Sequence, residues 1–231
     1  MTRLAIIIGS TRPDRRGPQV ADWVLRTAPW PAEVEVDLLD LLDFGLPLLD
    51  EPTPPSAAEQ YTQAHTRRWA QAIEVADGFL FVTPEYNHGI PAALKNALDF
   101  LYREWNDKAA GFVSYGAAGG IRAVEQLRQV AGTLQLADVR AQVTLSLTDD
   151  FDAEGRLTPR RFQHESLAQV VGQLVGWTKA MKALREGQFD APGESPVAAL
   201  VGPGAPRSGE DALAWADRAD ALYPDFHSGK R

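Results

Sequence analysis

Two short, unbroken apolar runs stand out along the chain: Leu4-Ala5-Ile6-Ile7-Ile8 and, inside the stretch that begins at Gly78, Phe79-Leu80-Phe81-Val82. Both are too short for a helix and carry the β-branched and aromatic bias of strands buried on both faces. Residues 109–115 form another such run, and 138–145 a fifth strand candidate. Residues 34–39 instead begin by alternating apolar and polar positions, as an edge or near-edge strand does. Helical stripes fall between these runs. Val20, Trp23, Val24 and Ala28 make the first. Tyr61, Ala64, Trp69, Ala72, Ile73 and Ala76 make the second, which the pattern Ser56-Ala57-Ala58-Glu59 would open as a capping box. Pro91 opens a third running to Leu101, and Val124, Leu127, Ala131 and Leu134 mark a fourth. The last carries Leu167, Val170, Val171, Leu174, Val175, Thr178 and Met181, with Thr158 as N-cap and Pro159 in the first turn. Strand and helix alternate five times, which predicts an α/β fold with one doubly wound parallel sheet over residues 1–186.

The segments at three strand ends carry the candidate chemistry. Ligands of open α/β sheets bind at the carboxyl ends of strands. After the first strand, residues 9–18 lead straight into a helix, so free backbone N–H groups and the positive end of the helix dipole face the loop. Arg12, Arg15 and Arg16 lie within it and would balance a phosphate monoester of about −1.5 to −2. The loop has neither a Walker A pattern nor Gly-x-Gly-x-x-Gly, which disfavours ATP hydrolysis and a dinucleotide site. After the strand beginning at Gly78, Pro84 cannot donate to a ladder, and residues 85–90 must form a loop into the next helix. After the fourth strand, Gly116-Ala117-Ala118-Gly119-Gly120 would let backbone approach a flat ligand. The three ends together predict a crevice with phosphate at the first and a planar ring between the other two.

Composition narrows the chemistry. The 231 residues carry a formal net charge of −8, which argues against nucleic acid as a partner. The absence of cysteine excludes disulfides, zinc ribbons, iron–sulfur clusters and thiolate nucleophiles, so any redox chemistry needs a cofactor. The four histidines show no metal-ligand spacing, and no Gly-x-Ser-x-Gly is present. Residues 150–155 begin like a calcium loop but have Arg161 at the twelfth position, so they read as a solvated acidic turn. The apolar run at residues 4–8 is too short for a signal peptide, and no run is long enough to span a membrane, which predicts a soluble, cytoplasmic protein. Beyond Gly187, prolines and glycines break every element until Ser208. Residues 187–231 therefore read as a flexible or loosely docked tail, with a flap over the site, prompted by Trp215 and Tyr223, as the sharper alternative.

Three motifs in order carry a family resemblance: Gly9-Ser10-Thr11-Arg12-Pro13 with Gly17-Pro18; Pro84-Glu85-Tyr86-Asn87 with Ile90-Pro91 and Leu94-Lys95-Asn96-Ala97-Leu98-Asp99; and Ser114-Tyr115-Gly116 with Gly119-Gly120. The chain resembles the NADPH-dependent FMN reductase family of flavodoxin-like proteins, which includes quinone, azo-dye and chromate reductases. The resemblance implies a sheet of order 2-1-3-4-5 with FMN at the strand carboxyl ends, NAD(P)H as co-substrate and a small-molecule electron acceptor. It places Ser10, Arg12, Arg16, Pro18, Gln19 and Val20 around the phosphate. Pro84, Glu85, Tyr86, Asn87 and His88 would line the isoalloxazine, and Ser114 and Gly116 would close its other side. It further implies a homodimer or homotetramer, with Tyr102 and Trp105 as partner contacts or as core. The alternatives are an FMN electron carrier or redox sensor without nicotinamide turnover, and a phospho-receiver. The latter would need an aspartate where Thr83-Pro84 stands.

Overall fold

The computed structural model describes residues 1–188. The expected tail, apart from Gly187 and Gln188, lies outside the described residues. Met1–Glu186 packs as one unit. Its elements are β1 (Thr2–Ile8), α1 (Gly17–Thr27), β2 (Val34–Asp40), α2 (Leu41–Phe44), α3 (Ala64–Glu74), β3 (Gly78–Pro84), α4 (Ala92–Asp99), β4 (Lys108–Gly116), α5 (Ile121–Thr133), β5 (Leu136–Ser146) and α6 (Arg161–Arg185). The five strands are all parallel in the order β2-β1-β3-β4-β5, the expected flavodoxin-like arrangement.

The apolar runs earn their positions by burial. Every residue of β3 and β4 is buried, whereas β2 alternates at the edge. Alternate strand residues feed two cores. Ile7, Phe79, Phe81 and Phe112 meet α3, α4 and α5 on one face, while Ile6, Leu80, Val82 and Val113 meet α1 and α6 on the other. The free edge of β5 is blunted. Arg128 of α5 donates to the carbonyls of Val139 (2.7 Å) and Arg140 (3.0 Å), and Gln173 of α6 accepts from the Ala141 amide at 3.0 Å.

Three expectations change, and one open choice is decided. The Ser56–Glu59 pattern opens no helix; α3 starts at Ala64. Its first turn is held instead by Glu51, whose carboxylate accepts from the Thr62 amide (3.0 Å), the Thr62 hydroxyl (2.8 Å) and the Gln63 amide (3.0 Å). Desolvation works against the Glu51 charge, but these donors outweigh it and bring its pKa to about 2. α6 starts at Arg161 rather than behind Thr158, because the Thr158 amide is taken by the Asp150 carbonyl. The acidic turn is not solvated at its head, since Asp150 is fully buried and ion-paired to Arg160. Trp105 is core: its indole is wholly buried against Phe79 and Trp69 and donates to the Leu98 carbonyl. Among the described residues no helix is long and apolar enough to cross a membrane.

Candidate active site

β1 and β3 end side by side, with the Gly9 amide bonded to the Val82 carbonyl at 2.9 Å. The β1 loop and the segment after β3 therefore emerge together, and their side chains lock. Ser10, fully buried, shares a 2.7 Å hydrogen bond with the Tyr86 hydroxyl. The Arg12 guanidinium lies 5.6 Å from the centre of the same ring. Beyond Tyr86 the chain turns back at once. Tyr86 and Gly89 exchange backbone hydrogen bonds of 3.0 and 3.1 Å, and Asn87 and His88 between them have φ of 47° and 76°. Positive φ at both central residues makes this a type I′ turn, which explains an asparagine at its first corner.

α5 braces this hairpin. The Glu85 carboxylate accepts from the Arg122 amide at 3.1 Å and pairs with the Arg122 guanidinium, while Gln126 Oε1 accepts from the Ile90 amide at 2.8 Å. Burial opposes ionisation of Glu85, but Arg122 and the amides of Arg122 and Ala123 outweigh it, and its pKa is lowered. Glu85 is thus a helix cap and a strut, not a free base. On the far side, the Ser114 hydroxyl donates to the Gly119 carbonyl at 2.7 Å. Gly120 sits at φ 76°, where a Cβ would lie 2.9 Å from the Tyr115 amide, so only glycine serves there.

These elements enclose a crevice of about 220 Å³ lined by Arg12, Arg15, Arg16, Pro84, Glu85, Tyr86, Tyr115, Gly116 and Leu147. Six of the residues expected from the sequence, Arg12, Arg16, Pro84, Glu85, Tyr86 and Gly116, therefore meet in one place. Ser10 stands behind Tyr86, and Ser114 is buried behind the glycine turn. Asn87 and His88 are at the exposed corner of the hairpin. Pro18, Gln19 and Val20 form the first turn of α1: Pro18 is exposed, Val20 lies in the core and Gln19 bonds to residues 155 and 157. Tyr115 and Leu147 were not assigned a role from sequence. Period-two alternation along β4 puts Tyr115 opposite Ser114 and Gly116, on the α1 face, and that is the signal for it.

The charges suit a phosphorylated ring system. Among the described residues neither Arg12 nor Arg16 has a carboxylate partner, while Arg15 is tied to Asp40. Two buried donors in the crevice lack partners, Arg15 Nε and the Tyr115 hydroxyl, which approaches the Gly17 amide without reaching hydrogen-bond geometry. Burial above all keeps the Tyr115 phenol well above its ordinary pKa, so it remains a donor. Orphaned buried donors at a strand–helix junction are what a phosphate satisfies, and Pro84, Tyr86 and Gly116 offer a flat slot beside them. The residues fit FMN.

Comparison with known proteins agrees. A family model described as NADPH-dependent FMN reductase matches residues 2–150. A NAD(P)H-dependent FMN reductase of Schizosaccharomyces pombe is 42% identical over 158 residues, covering 68% of this chain and 79% of its own. A 2-hydroxy-1,4-benzoquinone reductase of Burkholderia sp is 34% identical over 141 residues, 58% of this chain and 72% of its own. Among solved structures, the flavoenzyme NAD(P)H:(acceptor) oxidoreductase from Paracoccus denitrificans shares the fold with a TM-score of 0.61 at 22% identity, covering 78% of this chain and 99% of that one. The chain belongs to the NADPH-dependent FMN reductase family.

Proposed function

We propose that the crevice passes electrons from NAD(P)H through FMN to a small acceptor: a quinone, free flavin, an azo compound or a metal oxyanion. The observation that carries this reading is the pairing of unneutralised Arg12 and Arg16, beside two orphaned donors, with the slot between Tyr86 and Gly116. Similarity to a benzoquinone reductase supports a quinone among the acceptors. When bound, FMN supplies the hydride and electron chemistry. The chain's own residues do the rest. Arg12 and Arg16 neutralise the phosphate. Tyr86, fixed by Ser10, forms a wall of the ring slot, and the Glu85–Arg122 pair keeps the hairpin at a set distance from the glycine turn. No side chain in the crevice needs to exchange a proton, since Glu85 is ionised in a salt bridge and Tyr115 stays protonated.

The catalytic unit is residues 1–186, with 187–231 as an appended tail. The same reading makes the protein a cytoplasmic homodimer or homotetramer. Leu42, Leu48 and Leu49 stand exposed close to α4 and support a partner copy over that face. The test is to purify the protein, record its absorption spectrum, and follow NADH and NADPH oxidation against a panel of acceptors. A flavin spectrum with quinone-dependent turnover is expected. A chain that takes up no FMN, or that holds it without turnover of either nicotinamide, overturns the reading.

A further inference from the structure

The family match stops at residue 150, yet the residues that follow reach back to the phosphate end of the crevice. The Gly155 carbonyl accepts from the Arg16 guanidinium and, at 3.0 Å, from Gln19 Nε2. Gln19 Oε1 in turn accepts from the Leu157 amide at 2.8 Å, and the Phe151 ring lies 4.8 Å from the Arg16 guanidinium carbon. The segment is braced from within. Phe151 bridges to Leu157, the Asp152 amide donates to the Arg156 carbonyl at 2.9 Å, and buried Asp150 accepts from the Ser146 amide at 2.7 Å and pairs with Arg160. Gly155 has φ of 79°, and a Cβ there would lie 2.9 Å from Arg16 Cζ. A glycine is what allows the close approach. The acidic side chains of the segment do not neutralise Arg16: Asp152 and Glu154 are both paired with Arg156, and Asp150 with Arg160.

Arg16 therefore combines two properties. It is held in place by a carbonyl and an aromatic ring, and it keeps its charge and its remaining N–H donors for the crevice it lines. We propose that residues 150–157 are a latch that, through Gln19 and Gly155, pre-aims Arg16 at the flavin phosphate and so selects FMN over flavin without phosphate. The proposal rests on the FMN reading of the crevice. Gln19 is then a positioning residue that acts through Arg16 instead of touching the phosphate. Pre-organisation removes the rotamer freedom an arginine otherwise loses on binding, so the effect falls on the phosphate-bearing ligand alone.

The experiment titrates flavin-free protein with FMN and with riboflavin, read by flavin fluorescence, for wild type, Gln19→Ala, Gly155→Ala, Arg16→Ala and the Gln19→Ala/Arg16→Ala pair. Melting temperatures confirm that each variant is folded. Wild type should prefer FMN, and Gln19→Ala should weaken FMN binding by about tenfold with riboflavin unchanged within about twofold. In the Arg16→Ala background Gln19→Ala should have no further effect, since the two act as one unit. Gly155→Ala carries the same comparison should Gln19→Ala fail to fold. An unchanged FMN-to-riboflavin ratio, equal losses for both flavins, or additivity with Arg16→Ala overturns the latch while leaving the FMN reading intact. Wild type that binds neither flavin overturns both.

Discussion

At the amino ends of the strands, Asp77 accepts hydrogen bonds from the Arg3 amide, Lys182 and Arg185, each at 2.9 Å. Beside it Lys108, buried at the start of β4, donates to the last carbonyls of α3, those of Ile73 and Glu74. Burial lowers the Lys108 pKa to about 8, so it is still charged at neutral pH. Every charged group in this cluster has a partner. At the carboxyl ends the pattern reverses: among the described residues Arg12 and Arg16 lack carboxylates, and Arg15 Nε and the Tyr115 hydroxyl lack acceptors. The contrast separates two uses of charge. Paired charges at one end fasten β1, β3, β4 and α6 together, and arginines without carboxylates at the other are left for a ligand.

Substitutions at the two ends should therefore fail differently. Asp77→Ala takes the carboxylate from Lys182 and Arg185, which keep only carbonyl partners, and should cost about 2 kcal/mol of stability in urea unfolding, with FMN affinity of the folded protein unchanged. The pH dependence follows in sign. Burial opposes the Asp77 charge, but the Arg3 amide and the charges of Lys182 and Arg185 outweigh it, so its folded pKa is lowered. Its stabilisation is complete above the unfolded value of about 3.9 and is lost as pH falls below that. Asp77→Asn should accordingly flatten the acid limb of a stability–pH curve relative to wild type.

Arg12→Ala should do the opposite. It removes an exposed cation with no ion-pair partner, so the flavin-free protein should keep its stability to within about 0.5 kcal/mol. FMN affinity should fall by about 30-fold, as loss of a charged hydrogen bond demands. A stability loss at Arg12 as large as that at Asp77 would erase the contrast. Glu51→Gln is the smallest and sharpest case, because Glu51 is a fully partnered group at the site end of α3. It should cost about 1 kcal/mol, the worth of a helix cap, and leave flavin affinity untouched in the same titration.

Much of the frame was legible because it depends on local pattern. Unbroken apolar runs at Leu4–Ile8 and Phe79–Val82 can only be central strands, and glycines and prolines mark where they stop. Arg12, Arg16, Tyr86 and Gly116 converge because three neighbouring strands end on one side of the sheet. What stayed hidden was decided by contacts distant in sequence. Ser56–Glu59 has the letters of a capping box, but Glu51 reaches the helix start from another loop. Asp150 reads as solvated until Arg160 folds back on it, and Trp105 reads equally as a partner contact or as core until Phe79 and Trp69 close around it. Ser114 lies in a motif that points to the flavin, yet its hydroxyl serves the Gly119 carbonyl. Tyr115, one residue on and facing the other way, is the group left waiting.

As proposed, FMN held in this crevice accepts hydride from a nicotinamide cofactor. The direct measurement is anaerobic stopped-flow mixing of the FMN-loaded protein with NADPH and, separately, NADH. The oxidised flavin absorbance should be lost with at least one of them, at a rate that saturates with nicotinamide concentration and matches or exceeds turnover with a quinone. Bound flavin that stays oxidised against both would contradict it.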